Sequence, residues 1–168
     1  MNVRFLFALV LMLCAQYADA QTANDFLNSG SLKYEQEDYK VAIQDFTKLI
    51  ALRPNDAIAY NNRGTAKMDL EDYRGAIQDF TTAIKLKPNY AKAYCNRGTV
   101  KLNLKEYKSA LTDLNQAIKL DKKYGKAYNN RGLVNFFMGN KSATCLDFSK
   151  AGEYGNDKAY DNIQRYCN

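Results

Sequence analysis

The chain has 168 residues, 46% of them hydrophobic and 25% charged, which fits one domain with its own core and argues against a disordered or an integral membrane protein. Its formal charge of +6 comes from 24 Lys and Arg interleaved with 18 Asp and Glu. This small excess favours acidic partners and does not indicate nucleic-acid binding. The chain lacks His, so the commonest acid/base group and metal ligand are missing. No cofactor and no metal site are expected.

Residues 1–20 are typical of a signal peptide. A short cationic start precedes the uncharged apolar run 5–15, and Ala18 and Ala20 are small residues where a signal peptidase recognises its substrate. Cleavage is expected after Ala20, and the protein is expected to be exported, either periplasmic or secreted. The run is too short for a bilayer core, which needs about 20 residues, so no membrane span is expected after signal removal. Lipidation of Cys14 is disfavoured, because a large residue precedes it.

An internal repeat organises the rest of the chain. Four glycines follow one another at one constant interval: Gly30, Gly64, Gly98 and Gly132. Residues 57–90 and 91–124 are identical at 17 of 34 aligned positions. Similarity at a fixed period of this length indicates a repeat architecture, in which each unit packs against its neighbours.

Each repeat unit carries apolar residues at helical spacing around its Gly. An aromatic residue lies four positions before it, an Ala twelve after it, and a large apolar residue sixteen after it. In this order they are Phe26, Tyr60, Tyr94 and Tyr128; Ala42, Ala76 and Ala110; and Phe46, Phe80, Leu114 and Phe148. The spacing predicts two antiparallel helices per unit, in which the bare Gly faces the small Ala. Pro54 and Pro88 are expected to end the second helix of units one and two.

These residues resemble the tetratricopeptide repeat family, whose unit has this length and this helix pair. The segments AYNNRG, AYCNRG and AYNNRG, which end at Gly64, Gly98 and Gly132, are similar to its Asn-Arg-Gly type. The resemblance implies an all-α fold, a right-handed α-solenoid of four helix-turn-helix repeats with a C-terminal capping helix. The expected units are residues 23–56, 57–90, 91–124 and 125–156, followed by the capping helix at 157–168.

The fourth unit departs from the repeat pattern at three positions. Lys141 replaces a recurring Tyr, Thr144 replaces the small Ala, and Gly152 replaces a recurring Ile. Its second helix is therefore expected to pack less tightly. Beyond it, Ala159 and Tyr166 belong to an apolar stripe at helical spacing, which predicts a helix that covers the exposed face of the last unit.

Two charged positions also recur with the period. The acidic ones lie on the second helices and the basic ones precede the Gly position: Asp45, Asp79, Asp113 and Asp147, and Arg63, Arg97, Arg131 and Arg165. Unit one has no preceding unit and carries Ser29 in place of the Arg. We therefore predict that each Arg forms an inter-repeat ion pair with the Asp of the preceding unit. The alternative is that both are solvated residues, whose isolated pairs contribute about 0–1 kcal/mol.

Three cysteines remain after residue 20, and an odd number in an exported protein leaves one thiol over. Cys145 and Cys167 have the same index sum as Asp147 and Arg165, as residues at one level of two antiparallel helices do. A Cys145–Cys167 disulfide is therefore predicted, and the alternative is two buried thiols. Cys95 has no His to activate it and is interpreted as a small filler rather than a nucleophile.

The family resemblance implies that the first helices line a concave groove, where Asn two residues before the Gly can bond the main chain of an extended peptide. That position is Asn in every unit: Asn28, Asn62, Asn96 and Asn130. An amide both donates and accepts, so a row of them can hold a backbone of any sequence. The alternative is a tolerated polar residue on a wet face. The groove is also expected to include Asn61, Thr65, Lys92, Cys95, Thr99, Lys126, Asn129 and Phe136.

Charge along this groove is expected to change from acidic near Glu35 and Asp69 to basic near Lys92 and Lys126. We therefore predict a protein or peptide partner with an acidic end bound at the two lysines. The carboxylate clamp of chaperone-binding relatives is incomplete here, since only Asn62 and Lys92 match its residues. Chaperone tails are therefore disfavoured.

The sequence thus predicts a non-enzymatic protein–protein interaction module that binds an extended peptide or a partner protein in the groove. The alternative is a structural or assembly subunit of a larger exported or envelope complex. A hydrolase is disfavoured, because no Ser-His-Asp triad can form without His, and the regularly spaced glycines belong to helix contacts rather than to a phosphate-binding loop.

Overall fold

A computed structural model describes the backbone of residues 3–167 and the side chains of Met12 and residues 20–167. Within this part the chain forms helices and no strands. The nine helices are α1 (Val3–Glu35), α2 (Tyr39–Leu52), α3 (Ala57–Asp69), α4 (Tyr73–Leu86), α5 (Ala91–Asn103), α6 (Tyr107–Leu120), α7 (Gly125–Phe137), α8 (Lys141–Glu153) and α9 (Ala159–Tyr166). The predicted all-α fold is confirmed.

Most of the predicted signal segment lies outside the described side chains. The backbone of α1 continues from Val3 through Ala20 into the first unit. Signal removal after Ala20 remains a prediction, and Cys14 lies outside the residues whose side chains are described. No helix in the described part is both long enough and apolar enough to cross a bilayer.

Eight of the helices pack as four consecutive hairpins, α1 with α2, α3 with α4, α5 with α6, and α7 with α8. The second helix of each hairpin packs on the first helix of the next, and α9 packs on α8. The first helices also contact one another, α1 with α3, α3 with α5, and α5 with α7. They form one side of the array, called the groove face below. This stacking of hairpins is the predicted α-solenoid.

Local sequence ends each helix where the solenoid requires it. One left-handed residue separates the two helices of each hairpin: Glu37, Glu71, Lys105 and Gly139, with φ of 60°, 61°, 62° and 81°. The carboxylates of Asp38 and Asp72 accept backbone N–H bonds from the first turns of α2 and α4, which caps these helices. Both helices end two residues before a proline, Pro54 or Pro88, as predicted.

The repeat glycine sets the distance between the two helices of a hairpin. A Cβ on Gly64 would lie 2.9 Å from Cε1 of Phe80 and 3.2 Å from Cβ of Asp79. Equivalent overlaps would occur with Phe46, Leu114 and Phe148 in the other units. The nearest neighbour of each Gly is therefore the large apolar residue sixteen positions later, rather than the Ala at position twelve. Those alanines are nevertheless fully buried.

The second helix of the fourth hairpin is packed closely, although the sequence predicts looser packing there. Thr144 and Phe148 are both fully buried. The Thr144 hydroxyl donates to the carbonyl oxygen of Asn140 at 3.0 Å, so its polar group is satisfied inside the hairpin. A Thr is therefore accommodated at the Ala position without an unpaired hydroxyl.

The array ends at a bulky residue. Continuing the repeat spacing beyond Gly132 leads to Tyr166, which stands at the position that is Gly in every unit. Its ring centroid lies 4.5 Å from that of Phe136 and 5.9 Å from that of Phe148. The Tyr166 ring therefore packs on two rings of the last hairpin.

Two further contacts hold α9 on α8 and α7. The structure joins Cys145 on α8 to Cys167 directly after α9, with their Cα atoms 5.7 Å apart, in the pairing that the sequence predicts. The side-chain amide of Asn162 on α9 donates to Oδ1 of Asn129 on α7 at 2.6 Å. The predicted cap is therefore tied to both helices of the last hairpin.

Two glycines that differ only in their surroundings test the close packing. Gly64→Ala should destabilise the protein by about 1–3 kcal/mol, because the new Cβ overlaps the Phe80 ring. Gly152→Ala should leave the protein unchanged or stabilise it by about 0.5–1 kcal/mol, because its Cβ would lie at an ordinary 3.5 Å from Cβ of Ala159. Urea unfolding followed by circular dichroism measures both. Equal effects of the two substitutions would contradict the packing described above.

Candidate peptide-binding groove

Buried Arg–Asp pairs lie beneath the groove face, with a geometry that repeats from unit to unit. Each guanidinium donates two parallel hydrogen bonds to one carboxylate, for example Arg97 Nε to Asp113 Oδ2 at 2.9 Å and Nη2 to Oδ1 at 2.7 Å. The three pairs are Arg63 with Asp79, Arg97 with Asp113, and Arg131 with Asp147. The carboxylates are 3–4% exposed, so these are not solvated surface pairs.

The predicted partners of the arginines are wrong. Each Arg pairs with the Asp on the second helix of its own unit, not with the Asp of the preceding unit. The sequence period allows both pairings equally, since either offset recurs in every unit. In unit one Ser29 donates to Asp45 at 2.6 Å and so replaces the Arg. Arg165 is exposed and lies over the Tyr166 ring, while Asp147 is held by Arg131.

The guanidinium nevertheless crosses the junction between units through its third nitrogen. Nη1 of each Arg donates to a hydroxyl or amide oxygen on the second helix of the preceding unit: Arg63 to Thr47 at 3.2 Å, Arg97 to Thr81 at 3.0 Å, and Arg131 to Asn115 at 2.7 Å. The hydrogen bond with Asp79 raises the pKa of Arg63 above its usual value. One charged group therefore joins two helices of its own hairpin and a third helix of its neighbour.

Sequence reasoning missed this junction contact and a second cation on each of two carboxylates. The Nζ atoms of Lys67 and Lys101 lie 2.8 and 2.7 Å from Asp79 and Asp113. The signal was present, because Thr47, Thr81 and Asn115 recur with the same period, as do the two lysines. These positions carry common polar or cationic residues, so their recurrence in the sequence does not by itself indicate a junction contact.

The predicted row of groove asparagines divides into an open part and a closed part. Asn28 is exposed and Asn62 is half-buried, whereas Asn96 and Asn130 are only 6% and 8% exposed. Asn61 and Asn129, which were expected beside them, are buried as well. The row is therefore not a uniform surface of free amides.

Hydrogen bonds between units use the amides of the closed part. The Asn96 side-chain nitrogen donates to Oδ1 of Asn61 at 3.1 Å, and that of Asn130 donates to the Thr99 hydroxyl at 2.7 Å. Both bonds run from one first helix to the first helix of the preceding unit. Asn96 and Asn130 therefore use their side-chain amides in hydrogen bonds at the junctions of units three and four, and these amides are not free to bind a peptide backbone.

The first junction lacks this closure. Leu27 stands at the place of the accepting amide of Asn61, while the Ser31 hydroxyl donates to the carbonyl oxygen of Leu27 at 2.8 Å, just as Thr65 and Thr99 donate to Asn61 and Cys95. A pocket of about 290 Å³ is present there, lined by Ser31, Tyr34, Glu35, Phe46, Asn62 and Thr65. It combines an apolar ring at its base with an accessible carboxylate and amide at its edge. This pocket was not predicted from the sequence.

Charge on the groove face differs between its two halves. Glu35 and Asp69 are exposed at the first two units, and Asp69 accepts the Tyr34 hydroxyl at 2.5 Å. Lys92 and Lys126 are exposed at units three and four, and Nζ of Lys126 lies 3.5 Å from Oδ1 of Asn96. The structure thus places the four charged residues as the sequence predicts, acidic at one end and basic at the other.

Cys95 lies inside the protein rather than on the groove face. It is fully buried, and burial raises the pKa of its thiol to about 11. Tyr124, Thr99 and Lys126 surround the sulfur. A protonated, enclosed thiol is a poor nucleophile, which agrees with its interpretation as a filler. Of the other predicted groove residues, Thr65 and Thr99 are half-buried and Phe136 is exposed.

Comparisons with known proteins agree with this geometry. The family model described as tetratricopeptide repeat matches residues 57–90 and 91–124, and the one described as TPR repeat matches residues 30–70. No curated protein matches the chain in sequence.

Several solved structures are similar to the chain. "Crystal structure of MamA" is 26% identical over 87% of this chain and 85% of that one, with a TM-score of 0.73. The first TPR of Spaghetti (RPAP3) bound to HSP90 peptide SRMEEVD is 25% identical over 71% and 94%, with a TM-score of 0.68. The second TPR domain of human RPAP3 in complex with HSP70 peptide SGPTIEEVD is 26% identical over 70% and 98%, with a TM-score of 0.67.

A double-mutant cycle tests which carboxylate each Arg holds. Arg97→Met combined with Asp113→Asn should show a coupling of about 1–3 kcal/mol in the free energy of unfolding, because the two groups share two part-buried hydrogen bonds to a buried carboxylate. The same cycle with Asp79→Asn in place of Asp113→Asn should give a coupling near zero. Stronger coupling to Asp79 would restore the inter-repeat pairing and contradict the structure.

The two kinds of Asn are distinguished by stability. Asn96→Ala should cost about 1–3 kcal/mol, because it leaves the buried Oδ1 of Asn61 without its donor. Asn62→Ala should cost less, below about 1 kcal/mol, because this residue is half-buried and its Oδ1 accepts one long bond, from Asn61 Nδ2 at 3.4 Å. Thermal and urea unfolding of both variants provide the comparison. Equal losses for both variants would mean that the two junctions do not differ.

Proposed function

Because the chain belongs to the tetratricopeptide repeat family, we propose that it holds an extended segment of a partner protein on its groove face and does no chemistry on it. The fold is a protein-interaction scaffold, and the proposal concerns how this chain uses it. The observation that carries the proposal is the pair of exposed lysines, Lys92 and Lys126, beside a row of polar groups that is open at Asn28 and Asn62.

The lysines favour a segment with an acidic end. Two solved relatives are bound to peptides that end in EEVD, so repeats of this fold accept acidic chains. In this protein the acidic end is expected over α5 and α7, where Lys92 and Lys126 occupy the same position of successive first helices. A complementary basic residue of the segment fits the half of the groove near Glu35 and Asp69.

A chaperone tail remains a poor candidate for this groove. Asn62 and Lys92 coincide with two places of the carboxylate clamp, but Leu27, Ser31 and Asn96 occupy the other three. The buried amide of Asn96 already bonds within the protein and carries no charge. The proposed partner is therefore a segment whose acidic end is bound by Lys92 and Lys126, without the Arg that completes the carboxylate clamp.

Export and the disulfide belong to the same proposal. We expect residues 1–20 to be removed and the Cys145–Cys167 bond to form in an oxidising compartment, where it would stabilise the C-terminal helix by about 3 kcal/mol. Mass mapping of peptides from protein isolated without reductant checks both points. An intact N-terminus, or free thiols at both cysteines, would count against this expectation.

Photo-crosslinking tests the groove against the opposite face. A photoreactive residue at Asn62 should capture partners from cell-envelope extracts, whereas the same residue at the exposed Gln78 of α4 should not. Capture at Asn62 should fall by about tenfold or more on Lys92→Glu with Lys126→Glu, because the counter-charges are reversed. Lys122→Glu, at an exposed lysine in the turn before α7, is the matched charge control.

Capture from Gln78 alone would favour the alternative, a structural or assembly subunit that uses its outer face. Capture at Asn62 that is insensitive to both lysines would reject the acidic-end specificity while keeping the groove. The two outcomes separate the binding site from its preference.

A further inference from the structure

The turn between α7 and α8 carries a group of exposed apolar side chains. Phe136, Phe137 and Met138 are 39%, 52% and 37% exposed, although they are consecutive in the chain. The Phe137 ring is stacked on Tyr107 of the neighbouring hairpin, with centroids 5.5 Å apart and planes inclined by 9°. These three residues, called the aromatic turn below, form a contiguous exposed apolar group, and Tyr107 packs against one of its rings. Contiguous exposed apolar groups of this kind mark interaction sites.

Cations flank the aromatic turn on both sides. On one side a depression of about 400 Å³ is lined by Lys105, Glu106, Tyr107, Lys108, Ser109 and Met138. On the other side a depression of about 340 Å³ is lined by Phe136, Gly139, Lys141, Arg165 and Tyr166. The two depressions together contain four basic side chains and one carboxylate. The patch therefore pairs an apolar tip with a basic surround.

The equivalent turns of units one and two carry acidic residues. At the positions of the aromatic turn they carry Tyr34, Glu35 and Gln36, and Met68, Asp69 and Leu70, and the acidic pairs Glu37 and Asp38, and Glu71 and Asp72, follow directly. Leu70 corresponds to Met138, two units earlier, and is similarly exposed at 40%. An exposed apolar residue therefore recurs in these turns, Leu104 included at 40%, and the last turn differs by its two exposed Phe rings and its basic neighbours. This contrast provides a matched control within one chain.

We propose that the aromatic turn docks on an anionic lipid surface, with Phe137 and Met138 inserted among the acyl chains and the flanking cations against lipid phosphates. Aromatic and apolar side chains bind in the interfacial region of a bilayer, and nearby Lys and Arg add attraction to anionic headgroups. The charges favour an anionic lipid surface, because four basic side chains and one carboxylate line the two depressions beside the apolar group. The site shares Phe136 with the predicted groove but uses none of the four residues that carry the proposed function, Asn28, Asn62, Lys92 and Lys126, and does not depend on them.

Tryptophan fluorescence tests this contact locally, since the chain contains no Trp. The probe is the full chain with Phe137→Trp, mixed with vesicles of phosphatidylcholine containing about one third phosphatidylglycerol. We expect emission to shift to shorter wavelength and to be quenched by brominated acyl chains. Leu70→Trp, in the acidic turn, should show neither effect. Because the probe is local, binding by the apolar segment 5–15 does not produce the signal.

A second arm tests the charges. Lys105→Glu with Lys141→Glu should weaken the Phe137→Trp response about tenfold, as should replacing phosphatidylglycerol by phosphatidylcholine alone. The proposal is overturned if Phe137→Trp gives no shift with anionic vesicles, or if Leu70→Trp responds equally. It is also overturned if the shift occurs without lipid and rises with protein concentration, which would assign the patch to a second copy. A response to a synthetic acidic amphipathic peptide, with none to vesicles, would assign the patch to a protein and equally overturn it.

Discussion

The buried carboxylate on each second helix is the constraint on which the rest of the solenoid depends. Asp79, Asp113 and Asp147 are nearly enclosed, and an unpaired charge in such a place would be strongly destabilising. Each therefore requires an Arg from the first helix of its own hairpin. The remaining nitrogen of that Arg bonds the hairpin before it. The same group thus closes one unit and positions it on the next, which gives successive hairpins a fixed orientation.

This arrangement determines which polar groups remain for a partner. In units three and four the amides of Asn96 and Asn130 are used to close junctions on the groove face. At the first junction Leu27 stands in place of Asn61, and a pocket lies beside Ser31 and Asn62. Lys92 and Lys126 are exposed on this face, unlike Lys67 and Lys101, which pair with Asp79 and Asp113. The groove therefore offers accessible amides at one end and exposed cations at the other.

Sequence reasoning predicted the parts of the structure that depend on the period alone. The repeat spacing places the glycines, the rings over them and the helix-ending prolines, because each is repeated by the same local geometry. The structure places Cys145 beside Cys167, as expected for residues at one level of two antiparallel helices, which share an index sum. The Arg partner was predicted wrongly, because the period alone cannot distinguish the Asp of the same unit from the Asp of the preceding one.

Burial of the groove asparagines could not be predicted for a related physical reason. Whether Asn96 is open or closed depends on residues one unit earlier, Asn61 and Thr65, which are not neighbours in the pattern. Four identical residues at identical positions therefore have different surroundings. The same limit applies to the aromatic turn, whose exposure depends on how the adjacent hairpin is packed beside it.

The central claim, that the groove asparagines are structural at one end and accessible at the other, is tested most directly by NMR hydrogen exchange of their side-chain amides. The amide protons of Asn96 and Asn130 should exchange at least about ten times more slowly than those of Asn28 and Asn62, since the first pair is buried and bonded between units. Similar exchange rates at all four residues would contradict it.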